Sequence, residues 1–72
     1  MTYKKLNELA EAKYGAPGEH DQWYVCPEDG IAPGCWDKYC SEVQKLLNQN
    51  LTKEQYFDAY WQTAGIYILA ID

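Results

Sequence analysis

Apolar positions recur at helical spacing in three stretches of this chain, and short local signals bound each stretch. In the first, Tyr3, Leu6, Leu9, Ala10 and Tyr14 trace one stripe, the pattern of an amphipathic helix. Thr2 is a suitable N-cap, and Gly15 suits a left-handed C-terminal cap. The reading is a helix over residues 2–14 with Glu8 and Glu11 facing outward. A second stripe, Trp36, Tyr39, Cys40, Val43 and Leu47 with Leu46 beside it, predicts a helix over residues 35–48. Glu42 lies within one turn of both Lys38 and Lys45, so surface ion pairs are expected there.

The third helix has the clearest start. Thr52 and Gln55 have the spacing of a capping box, with Leu51 and Tyr56 at the hydrophobic-staple positions. Tyr56, Phe57, Tyr60, Trp61 and Ala64 follow. At Gly65 the pattern supports two continuations. The glycine closes the helix and Ile66–Ile71 forms a buried strand, or the helix runs on with Phe57, Trp61, Ala64, Ile68 and Ile71 on one face. In the latter case the mid-helix glycine costs about 1 kcal/mol.

Between the first two helices, residues 16–34 break both periodicities. This stretch holds all three prolines and three of the five glycines. It carries turn signals at Ala16-Pro17-Gly18, Pro27-Glu28-Asp29-Gly30 and Ala32-Pro33-Gly34. A short β-prone run, Gln22-Trp23-Tyr24-Val25-Cys26, lies inside it. A connection of this length is usually either functional or disordered, and Trp23, Tyr24 and Val25 argue that this one is tied down at least in part. The expected fold is mainly α, a single three-helix domain spanning residues 1–72 with this long acidic connection. The alternative is α+β, with a strand near 22–26 paired to 66–71. A two-stranded sheet is marginal on its own, which favours the helical reading.

Charge sharpens the picture. Eleven acids against six lysines give a net charge of −5. The whole excess falls between Tyr14 and Asp37, where Glu19, Asp21, Glu28, Asp29 and Asp37 occur without one lysine. Such a field repels phosphate and attracts basic surfaces. The chain has no arginine, the residue that reads guanine and grips phosphate bidentately. Direct nucleic-acid binding is therefore not expected. The N-terminal residues form no apolar core of a signal peptide, and the longest apolar run, 66–71, is too short to cross a bilayer. An intracellular, cytoplasmic protein with no membrane contact is expected. The sequon Asn50-Leu51-Thr52 is then a chance match.

Candidate chemistry is sparse. His20, Cys26, Cys35 and Cys40 are close in sequence and could form a Cys3His zinc site. Their spacing, H-x5-C-x8-C-x4-C, lacks the close cysteine pairs of zinc modules, and Cys40 fits the apolar stripe of its helix. Free thiols and no cofactor are expected. Cys35 at a helix start is the one candidate thiol nucleophile, with His20 as its base, but Asp37 opposes thiolate formation. The lone serine, Ser41, lies mid-helix and supports no triad. Glu28-Asp29 reads as a turn former.

The expectation is a binding protein, not an enzyme. Glu19, Asp21, Glu28, Asp29 and Asp37 would meet a basic, nucleic-acid-binding surface of another protein, with Trp23 and Trp36 as aromatic anchors. By analogy of size and charge alone, inhibitors encoded by phages or mobile elements, of anti-CRISPR or anti-restriction type, work in this way, in the host cytoplasm where the source is viral. Two alternatives stand beside it: a zinc-stapled adaptor, and a structural protein that homodimerises or assembles further through Tyr60, Trp61 and Ile68.

Overall fold

The computed structural model describes residues 1–15 and 24–69. Three α-helices of equal length carry the fold: α1 (Tyr3–Tyr14), α2 (Trp36–Leu47) and α3 (Lys53–Ala64). The helix α2 packs against both α1 and α3. A single 3-10 turn, Glu28–Gly30, lies in the connection before α2, and no strand forms among the described residues. The mainly helical reading holds.

The helix ends follow the local signals. The Thr2 hydroxyl accepts from the Lys5 amide, and Gly15 closes α1 with φ +84° while its amide bonds the Glu11 carbonyl. At α3 the capping box is complete: the Gln55 amide donates to Thr52, and the Gln55 side chain accepts from the Thr52 amide at 3.0 Å. The turn before α2 has Pro33 in second position and Gly34 at φ +79° in third. The Cys35 amide closes it onto the Ala32 carbonyl, the arrangement of a type II turn.

The core is narrower on α1 than the sequence stripe suggests. Leu6 and Ala10 are buried, whereas Tyr3 and Leu9 are about two-fifths exposed. The residues i, i+4 and i+8 from Leu6 (Leu6, Ala10 and Tyr14) share one line on the helix. Leu9 is rotated about 60° off that line, and Tyr3 is the first residue of the helix, ahead of where the line begins. The same geometry acts on α3, where Tyr56, Tyr60 and Ala64 are buried but Trp61 is 47% exposed. From α2 the core takes Tyr39, Cys40, Val43, Leu46 and Leu47, and from the connection Tyr24, Val25 and Ile31.

The helix does end at Gly65, as the first of the two expected continuations has it, but no strand follows it up to residue 69, the last one described. The helix α3 stops at Ala64, yet Gly65 keeps right-handed angles (φ −56°, ψ −28°). The Tyr67 and Ile68 amides both bond the Ala64 carbonyl, which turns the chain out of the helix. Ile68 then forms one antiparallel bridge with Ile31. The Ala32 amide donates to Tyr67, and the Leu69 amide donates to Gly30. So the tail does pair with the connection, at residues 30–32. Among the described residues, 24–26 form no bridge with it, and residues 22, 23, 70 and 71 of the expected pairing lie outside the described residues. The pairing goes no further toward α3, where the Tyr67 amide is taken by the Ala64 carbonyl and the connection turns at Pro33-Gly34.

Candidate functional site

The acidic connection is fastened to the helices by tyrosines. Tyr24 is 1% exposed and lies flat against Phe57, with ring centroids 5.4 Å apart and planes inclined by 8°. Its hydroxyl donates to the Tyr14 carbonyl, and its own carbonyl accepts from the Tyr56 hydroxyl at 2.6 Å. The Cys26 amide donates to the Tyr39 hydroxyl, which in turn shares a 3.0 Å hydrogen bond with the Tyr60 hydroxyl. Buried tyrosines need a partner for the hydroxyl, and here those partners include the backbone of the connection. Lys53 adds its ammonium over the Tyr24 ring at 5.7 Å.

From this base the chain presents its acids. Glu28 and Asp29 sit in the 3-10 turn and Asp37 in the first turn of α2, all three exposed. Gly30 leaves room for the Cys26 side chain. A β-carbon at this position would lie 2.6 Å from the Cys26 sulfur. The acids act on the thiols beneath them. Burial pushes the Cys40 thiol up, and the carboxylates of Asp37 and Glu28 push it further, against the N-terminal ammonium. Burial, then Asp29, raises the Cys26 thiol likewise. The one ion pair among the described residues is Glu42 with Lys45, at 3.3 Å. None of Glu28, Asp29 and Asp37 forms an ion pair with a lysine among the described residues.

Trp36 stands beside these acids and is half-buried. It stacks on Tyr39 at 5.3 Å, and its indole N–H donates to the Met1 carbonyl at 2.8 Å. Part of its surface is thus already used inside the molecule. Glu19, Asp21 and Trp23, the other expected contact residues, lie outside the described residues, as does His20. Among the described residues no three His, Cys, Asp or Glu side chains form a metal-ligand set. Cys26 and Cys35 are half-buried and Cys40 is buried, all as free thiols.

Two contributors escaped the sequence reading. Met1 lies along the Trp36–Cys40–Gln44 line of α2, and its sulfur accepts from the Gln44 amide at 3.0 Å. Lys13 reaches from α1 to the end of α2, donating to the Leu47 carbonyl at 2.6 Å and also to that of Gln49. Nothing in the local pattern marks Met1. Lys13 has one cue, a cation in the last turn of a helix, but that cue points to its own helix and not to α2.

A shallow groove of about 310 Å³ runs between α1 and α2, lined by Met1, Leu9, Ala12, Lys13, Gln44, Leu47 and Asn48. Lys13 is committed to the α2 carbonyls, and the groove walls carry no thiol, hydroxyl, imidazole or carboxylate side chain. The surface suggested for self-association is mostly internal: Tyr60 is 1% exposed, Ile68 is half-buried, and only Trp61 is open to solvent. Among the described residues no helix is long and apolar enough to cross a membrane. No protein-family model matches the chain, and no curated protein or solved structure is significantly similar to it.

Proposed function

We propose that this protein is an intracellular binding module that docks the acidic edge around Glu28, Asp29 and Asp37 onto a basic surface of another protein. The observation that carries this reading is the exposure of Glu28 and Asp29 on a turn whose preceding residues are bonded to the buried tyrosines, with Asp37 exposed in the first turn of α2. A pre-ordered charged edge raises the rate of encounter with an oppositely charged partner and loses little freedom on docking. Trp36 would form the apolar rim of the contact. Glu19, Asp21 and Trp23 belong to the same proposed surface by sequence. A partner that normally holds nucleic acid offers the matching lysine and arginine groove, and occupancy of that groove makes the module an inhibitor or modulator. A mobile-element protein directed against restriction or CRISPR machinery is the form of this proposal that its size and charge suggest.

The test begins with crosslinking and affinity capture from the source cell, or from its host where the source is viral. The captured partner is then titrated with the native chain and with the triple variant Glu28→Ser, Asp29→Ser, Asp37→Ser. All three positions are exposed, so helix content and melting should stay near native. The association rate should fall about tenfold or more at low salt, and its salt dependence should flatten. A triple variant that associates at the native rate, with the native salt dependence, rules out the electrostatic edge. Self-association through Trp61 would instead show as a solution mass that rises with concentration and ignores the triple substitution.

A further inference from the structure

We draw no further inference here: the strongest candidate, the exposed apolar patch of Trp61, Ile66 and Leu69 where α3 turns into the tail, carries nothing because nothing in the structure shows what covers it.

Discussion

Gly30 and Cys26 form the tightest fit in the acidic turn, and the fit has a measurable consequence. The 3-10 turn folds Gly30 back until only a hydrogen fits against the sulfur. Gly30→Ala should destabilise the protein by about 1–3 kcal/mol, as overpacking does. Cys26→Ala removes the obstructing sulfur, so the double variant should recover a large part of that loss. Urea unfolding of the four proteins in a cycle measures the coupling; strictly additive effects would show that the clash is not the cause. The tyrosine hydroxyls give a second residue-scale prediction. Burial raises the Tyr39 hydroxyl from its ordinary 10.0 to about 12, against smaller lowering effects of the Cys26 amide and Tyr60. Burial also raises Tyr56 and Tyr60. In each case the folded state holds the proton more tightly than the unfolded chain does. Their contribution to stability is therefore full below pH 10 and drains away as the pH rises through the folded value. Alkaline titration should show a tyrosinate step that coincides with loss of helical circular dichroism. Ionisation of all tyrosines with the helices intact would contradict the buried network.

At the scale of elements, two helix ends depend on different kinds of group. The α3 start is purely local, closed by Thr52 and Gln55 three residues apart. The α2 end is closed from outside, by Lys13 at the last carbonyls, where a cation also suits the helix dipole. Thr52→Ala should cost about 1 kcal/mol. Lys13→Met should cost a similar amount, about 1 kcal/mol, because the site is exposed and partly screened. The two should differ in salt response: added salt should shrink the Lys13 effect and leave the Thr52 effect unchanged. Thermal melts at low and high ionic strength check this directly. The contrast also marks what was legible in the sequence. Thr2, Gly15, Thr52 and Gln55 act within one turn of their own position, and each was readable as a cap. Lys13, Met1 and the Ile31–Ile68 bridge act across the molecule, and one-dimensional spacing says nothing about such meetings. Gly65 misled for a related reason. Glycine permits a left-handed stop but does not require one, and here the turn onto Ile31 keeps it right-handed. At the candidate site, exposure of Glu28, Asp29 and Asp37 followed from their turn and first-turn positions. The indole N–H of Trp36 was already engaged, and no local pattern reveals its acceptor, Met1.

For the whole molecule, the central fact is that a thin core does two jobs. Four of its largest buried side chains are tyrosines, Tyr24, Tyr39, Tyr56 and Tyr60. They fill volume between the helices and also bind the backbone of the acidic connection. Ile31 closes the other end of that connection. It is 4% exposed and bridges Ile68 just after the 3-10 turn, so Glu28 and Asp29 lie between a tyrosine anchor at residues 24–26 and an isoleucine anchor at 31. If the proposed docking edge depends on being pre-ordered, loosening Ile31 should weaken binding without any change in charge. Ile31→Ala should cost about 2–4 kcal/mol of stability and speed hydrogen exchange at the Ile31, Ala32 and Leu69 amides. In a buffer that keeps the variant folded, the association rate should stay within about threefold of native, because steering follows the charge distribution. The dissociation rate should rise instead, since ordering of the turn is then lost from the bound state's advantage. The Glu28, Asp29 and Asp37 triple variant should do the opposite, slowing association most. A folded Ile31→Ala variant with faster exchange but native dissociation would separate the acidic charge from the rigidity of its turn, and would leave the charge alone as the basis of docking.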